Sequence, residues 1–508
     1  MAAIFHFACL ADGIIIHTMY HPPSKRKQLT TRILISTLMT LSVVLLVVVL
    51  ISVILGYQFN GKDGRIEQTG LVQFETLPSG ATVEVDGKAL STKTTTKTSV
   101  LPGSHEFVMW RDGYETWRKS LEIQPGTLTA LTYARLIPKD RTIKSVASFN
   151  ELSDSLASPS KRSILLQTTP GASTFVLADL QNEQSIRQRT LSLPAEVYSE
   201  ATTPDVTHRF GLVEWDQGGR YVLLTHSFND STEWLVLDTE DAARTTNITK
   251  SLNIGIDRAQ FSGTSGSQLY VLSAGDVRKI DVAGGTISRP LASKVASFDL
   301  YGSDIIAYVS QPLADTHQQS VGVVREGDKL PHVLRTVVTS DAEPLHIATS
   351  RYFNEDYVAI SLGGKVDILR GTYPSSTDAT NDTLSQFASF TFSRPVEWLT
   401  ISHNGRFVIA QAGDRFVSYD IERMSLPAEA TLAGEGAATQ LQWLDDYYAW
   451  SDRSGKLVLR EYDGSNEYDM GAVATGFDAT FSQNNRYLYS IGKTDSGYQL
   501  QRVRMILQ

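Results

Sequence analysis

The sequence predicts an all-β protein carried on one N-terminal membrane-spanning helix, with a small β-sandwich first and a β-propeller after it. Three observations predict this. An uncharged apolar run stands near the N-terminus, short strands alternate between turn residues from Leu71 onward, and a hairpin unit recurs to the C-terminus at a spacing near forty. The expected boundaries are 1–32 for a cytoplasmic tail, 33–56 for the helix, 57–69 for a linker, 70–138 for the sandwich and 139–508 for the propeller.

Composition narrows the function classes. A chain of 508 residues has room for two or three domains beyond an anchor, and 42% hydrophobic with 20% charged residues is ordinary for globular material. A net charge of −9 argues against a general nucleic-acid binder, which needs a basic face. The single cysteine, Cys9, precedes the apolar run, so neither an intrachain disulfide nor a thiolate metal cluster is available. The fold must therefore stand on core burial.

The run from Ile33 to Leu55 is interrupted only by Ser and Thr. As a helix it spans roughly 35 Å, enough for a hydrocarbon core of about 30 Å. Lys25, Arg26, Lys27 and Arg32 precede it, while Lys62 and Arg65 beyond it are balanced by Asp63 and Glu67. The positive-inside rule then puts the N-terminus in the cytoplasm and the bulk outside, in contact with lipid through 33–56. No small-x-small cleavage site follows Val53, so an uncleaved anchor is expected rather than a signal peptide. The first eighteen residues carry no basic residue, which points to Met19 rather than Met1 as the start.

After Gly70 the texture is that of strands. Leu71–Thr76 and Ala81–Val85 alternate around a Pro78-Ser79-Gly80 turn, and Asp86-Gly87 suits a two-residue hairpin. Leu101-Pro102-Gly103 breaks the chain before His105–Met109, and Lys119–Ile123 and Leu128–Leu136 supply further strands. Six or seven short strands in about seventy residues make a small sandwich. These residues resemble the PEGA domain family. Its Pro-x-Gly-Ala turn, Val-x-Val-Asp-Gly hairpin, Leu-x-Pro-Gly-x-His segment and Gly-Tyr pair stand here as Pro78, Gly80 and Ala81, then Asp86 and Gly87, then Pro102, Gly103 and His105, then Gly113 and Tyr114. Ser79 departs from the naming motif, at a turn position. The resemblance implies an extracytoplasmic, envelope-associated accessory module and carries over no catalytic residue.

From Arg141 a hairpin repeats: Trp215–Leu224, Ile401–Ala410 and Phe481–Ser490 each run apolar strand, polar turn with an arginine, apolar strand, the arginines being Arg220, Arg406 and Arg486. Weaker copies begin at Phe261, Phe298, Tyr352 and Trp443, with Ala157–Gln167 as a first one. A third strand follows and tends to end in Asp, as at Asp179, Asp238, Asp281, Asp420 and Asp463. Asp238 to Asp281 is 43 residues, and so is Asp420 to Asp463. A period near forty with three or four strands per unit is the signature of propeller blades, which cannot bury both faces alone and so stack radially. The count is eight blades, alternatively seven, with the first segment (Thr142–Phe149) and the last strand completing one blade together. The hairpin resembles the WD-like repeats of the Tol-Pal system propeller and related bacterial propellers.

No catalytic residue, metal ligand set or cofactor motif stands out. The chain lacks a His-Glu-x-x-His motif, a Gly-x-Ser-x-Gly elbow, a Walker loop and a Rossmann fingerprint. The oxygen-rich loops at Asn229 and Asp452, and the aspartates ending the third strands, read as turn formers. The polar stretch Gly371–Gln386 reads as a mobile loop between blades. The expected function is non-enzymatic: a membrane-anchored scaffold of the cell envelope whose propeller binds a protein or wall-polymer partner and no nucleic acid. The alternative is a carbohydrate-active hydrolase or lyase with its site in the propeller channel.

Overall fold

A computed structural model describes residues 25–60, 64–200, 207–340, 343–374, 383–426, 428–435 and 439–507. Cys9 and the choice between Met1 and Met19 lie outside the described residues. The chain forms two compact units: the first comprises Met1–Phe74, Thr95–His105 and Ser120–Thr132, the second Glu75–Thr94, Glu106–Lys119 and Tyr133–Gln508.

The first unit opens with one helix, Lys25–Ile54, long and apolar enough from Leu29 to Ile54 to cross a membrane. Its apolar side chains are exposed all round. Thr37, Thr40, Ser42 and Ser52 donate their hydroxyls to carbonyls one turn back, at 2.8–2.9 Å, so these four hydroxyls are satisfied within the helix. The segment expected as a linker instead carries a two-stranded hairpin, with Tyr57–Asn60 paired to Arg65–Gln68. Thr69 closes it by donating its hydroxyl to the Gly56 carbonyl at 2.7 Å. Beyond it, Gly70–Phe74 pairs antiparallel with Thr96–Val100. A Cβ on Gly70 would stand 2.5 Å from a methyl of Ile123, so only glycine fits there.

In the second unit, Thr94 holds the Pro78–Ala81 turn by accepting from the Gly80 and Ala81 amides at 3.0 and 2.9 Å. Asp86 and Gly87 both take positive φ, 50° and 75°, as a tight two-residue hairpin requires. The rest of this unit is a propeller of eight four-stranded sheets. Blade 1 is Asp154–Ala157, Ser163–Gln167, Thr174–Asp179 and Arg187–Ser192. Blades 2 to 7 follow in order, their inner strands at Arg209–Trp215, Arg258–Phe261, Val295–Tyr301, Leu345–Tyr352, Trp398–Ile401 and Gln442–Trp443. Blade 8 takes its inner three strands from Thr480–Phe481, Tyr487–Thr494 and Gly497–Arg504, and its outer strand from Ile143–Phe149.

Ring closure is visible in the core. Eight apolar clusters each join one pair of neighbouring blades, including blade 7 to 8 through Trp450, Leu459 and Phe481, and blade 8 to 1 through Ile491, Leu500 and Ile164. Continuous runs such as Val222-Leu223-Leu224 and Phe407–Ala412 are buried on both faces because every sheet is covered on both sides. One expectation is corrected. Gly371–Gln386 does not separate two blades: it joins the third and fourth strands of blade 5, Lys365–Gly371 and Leu384–Thr391, and 375–382 lie outside the described residues.

Candidate functional site

The repeat arginines have different fates. Arg406 reaches the end of its blade's third strand and forms a two-pronged pair with Asp420, at 2.9 and 2.6 Å, both side chains being buried. Arg220 does the same with Asp238, at 3.1 and 2.7 Å, from a partly exposed position. Arg486 has no aspartate at the end of its third strand; it lies exposed, 3.8 Å from Glu183. The third-strand aspartates therefore do more than form turns. Asp420 and Asp238 also accept amides of the following turn, from Glu422 and Glu240 at 3.0 Å.

The sandwich residues singled out by sequence are structural in their geometry. His105 Nε2 lies 2.8 Å from the Leu101 carbonyl. Tyr114 accepts the Leu507 amide at 2.7 Å, and a Cβ on Gly113 would press within 2.9 Å of Leu507, so the Gly-Tyr pair ties this segment to the end of the propeller. The same junction carries a charged knot that no motif announces. Lys119, almost fully buried, meets Glu461 at 2.5 Å, Asp463 at 2.7 Å and the Ser465 hydroxyl at 2.8 Å, and Trp117 and Tyr448 also donate to Glu461. Burial by itself would lower the Lys119 pKa, but Glu461 and Asp463 reverse this and hold the ammonium charged.

Inner strands of a propeller leave one edge unpaired, and its amides need acceptors. Carboxylates supply them across three consecutive junctions. Asp478 of blade 8 accepts the Ala157 amide of blade 1 at 2.8 Å, Asp154 of blade 1 accepts the Leu212 amide of blade 2, and Glu214 of blade 2 accepts the Phe261 amide of blade 3 at 2.5 Å. None forms an ion pair with a guanidinium among the described residues as Asp420 does, although Arg258 acts on Glu214 from further off. Burial pushes Asp154 up, Asp478 up to about 6 and Glu214 up to about 7.

Beside Asp478 a cavity of about 490 Å³ opens. Its walls come from blades 1, 6, 7 and 8, and residues of blades 1 and 6 converge only where inner strands and their first turns surround the axis. Lys161 enters from the first turn of blade 1, His403 from that of blade 6, and Trp443, Asp445, Asp446 and Trp450 from blade 7. Asp445 is committed: it accepts the Tyr447 and Tyr448 amides and pairs with Arg135 at 2.9 Å. The indole nitrogen of half-buried Trp443 is itself buried and has no hydrogen-bond partner among the described residues. These residues were overlooked in the sequence because WLDDYYAW reads as a degraded hairpin; its departure, two acids where other turns hold Gly-Arg, was the available signal.

A second cluster lies on blade 2. His208 Nδ1 sits 2.8 Å from His226 Nε2, whose Nδ1 lies 3.1 Å from Glu233, and Ser199 donates its hydroxyl to Glu233 at 2.5 Å. Phe210 and Phe228 stack on the His226 ring at centroid distances of 4.5 and 5.0 Å. Burial lowers the His226 pKa against the pull of Glu233. Burial would raise Glu233, but the Ser199 and His226 bonds hold it below the usual range. The result is a neutral imidazole on an ionised carboxylate. Strand register, which puts Phe210 opposite His226, builds this cluster, and sequence spacing does not reveal it. Among the described residues, no group of three or more His, Cys, Asp or Glu has the geometry to hold a metal.

Comparison with known proteins agrees with the fold. Residues 69–136 match the PEGA domain. No curated protein matches the chain in sequence. Among solved structures it is similar to the C-terminal WD40 domain of Sif2, at 12% identity, covering 72% of this chain and 99% of that one with a TM-score of 0.42. It is similar to the Dos1 propeller at 12% identity, covering 72% and 95% with a TM-score of 0.44. An oligogalacturonate lyase in complex with manganese matches at 12% identity over 70% and 96%, with a TM-score of 0.40. Likenesses with TM-scores of 0.40 to 0.44 carry no argument about this chain.

Proposed function

We propose that this chain, with its PEGA-matching segment and eight-bladed propeller, is a non-enzymatic binding protein held in a cell membrane by Lys25–Ile54. The basic residues before the helix support a propeller on the extracytoplasmic side, where its axial cavity would meet an envelope protein or a wall polymer. What carries the reading is the division of labour among the axial groups. Asp445 is spent on its own turn and Arg135, and Asp478 and Glu214 cap blade edges, while Trp443 and Asp446 face the cavity without such duties. A rigid frame carrying uncommitted polar and aromatic groups is suited to recognition. Protease added to intact cells should remove everything beyond Tyr57, and digestion only in inverted vesicles overturns the orientation.

One observation favours a second reading, a carbohydrate-active enzyme. Asp154 on the inner strand of blade 1 and Asp478 just before that of blade 8 lie in neighbouring blades and both are shifted upward, as a general acid requires. In that case the purified chain releases new reducing ends from wall glycans and Asp478→Asn abolishes the release.

A further inference from the structure

We propose that the axial cavity is a saccharide site for an uncharged glycan, a hexose or N-acetylhexosamine chain, held between the Trp443 side chain and the carboxylates of Asp446 and Asp478. This inference rests on the binding reading above and narrows it to a ligand class.

The argument starts from what the walls offer. Sugar rings present C–H faces that pack on aromatic rings and hydroxyls that both donate and accept. The cavity holds both kinds of partner. Trp443 is half-buried on the cavity wall, which leaves part of its ring open to a sugar C–H face. Asp478 spends Oδ2 on the Ala157 amide, which leaves Oδ1 without a partner among the described residues. Asp446 is exposed at the rim, and Lys161, 5.8 Å from the Phe481 ring, adds a donor. Charge then selects among glycans. Arg135 answers Asp445 at 2.9 Å, and one further ammonium, Lys161, faces Asp446 and Asp478. No cationic excess is left for a uronate or phosphate polymer, and desolvating such an anion beside two carboxylates is unfavourable. The volume, about 490 Å³, lies inside the roughly 300–1,000 Å³ range of small-molecule sites and suits a short saccharide.

The test uses the full detergent-solubilised chain and three defined probes: N-acetylglucosamine tetramer, cellotetraose and oligogalacturonate. Binding is read by calorimetry and by quenching of tryptophan fluorescence. At least one neutral tetramer should bind saturably, and the oligouronate at least tenfold more weakly. Trp443→Ala should weaken binding tenfold or more, and Trp443→Phe, which keeps a ring but removes the N–H, by a smaller factor. Asp446→Ala should weaken it severalfold, and Val338→Ala on the outer strand of blade 4 should leave it unchanged. Unchanged thermal unfolding of Trp443→Phe and Asp446→Ala keeps the test sound if Trp443→Ala fails to fold. Equal or tighter oligouronate binding, or neutral binding indifferent to Trp443 and Asp446, overturns the assignment. If no saccharide binds but a photo-crosslinker at residue 446 traps a defined protein on intact cells, the saccharide assignment falls and the binding reading stands. If a tetramer is cleaved, the binding reading itself falls.

Discussion

Asp238 and Asp420 end the third strands of blades 2 and 6 against a guanidinium, whereas Glu214 on an inner strand and Asp478 just before one have backbone amides as their hydrogen-bond donors. All four are carboxylates in the same fold, and the surroundings of Asp238 drive it the opposite way from Glu214 and Asp478. Burial would raise Asp238, but the two-pronged Arg220 bond overcomes it and holds the carboxyl below its usual range. At Glu214 and Asp478 burial prevails, and the acids titrate at about 7 and about 6. The difference teaches that a full counter-charge, which the repeat supplies at the third strand's end and not at the inner strand, sets the chemistry of an acid here.

The sharpest way to break the comparison is to remove the counter-charge where it is most buried. Arg406→Met strands Asp420 in the interior and should cost about 3–5 kcal/mol, read as a fall in the urea midpoint of the detergent-solubilised chain. Lys119→Met should cost a similar amount, because it leaves Glu461 and Asp463 facing each other without the ammonium. Arg220→Met, at a partly exposed site, should lower the midpoint by clearly less than either.

Glu214→Gln sharpens the contrast through pH. Between about pH 4.5 and pH 7 the folded chain keeps the Glu214 proton that the unfolded chain has lost, so its contribution to stability falls as pH rises through that window. The amide variant, which still accepts the Phe261 N–H, should therefore gain stability over the wild type at pH 8 and lose that advantage at pH 4. Asp238 works with the other sign: its contribution is present above about pH 4 and is lost on acidification. The smallest change belongs to Arg486→Ala. It should stay within about 0.5 kcal/mol, since exposed Arg486 touches only Glu183, at 3.8 Å. A loss of 3 kcal/mol there, or none at Arg406, would show that the repeat position rather than the partner decides.

Those three arginines also mark how far the sequence could be read. Phe481–Ser490 looks as good a copy of the hairpin as Ile401–Ala410, yet only the latter carries Asp fourteen residues on from its arginine. The pairing was latent in the sequence, but it took strand register to bring it together. The axial cavity was harder still, because Lys161, His403, Trp443 and Asp478 are scattered over more than three hundred residues. The same holds for His208 and His226, which meet only because Phe210 faces His226 across a strand pair.

Local chemistry determined the rest. The apolar run after Lys27 had to be a helix exposing apolar side chains, since length and composition alone decide whether a segment can cross lipid. Alternation and turn residues fixed strands of the right length, and the recurring unit fixed a propeller, because a lone blade cannot bury two apolar faces. Tertiary structure alone decided which charges ended up paired, which blade Ile143–Phe149 completed and which side chains surround the axis. These depend on contacts between residues far apart in the chain, whose energies come from burial and counter-charge that no local window contains.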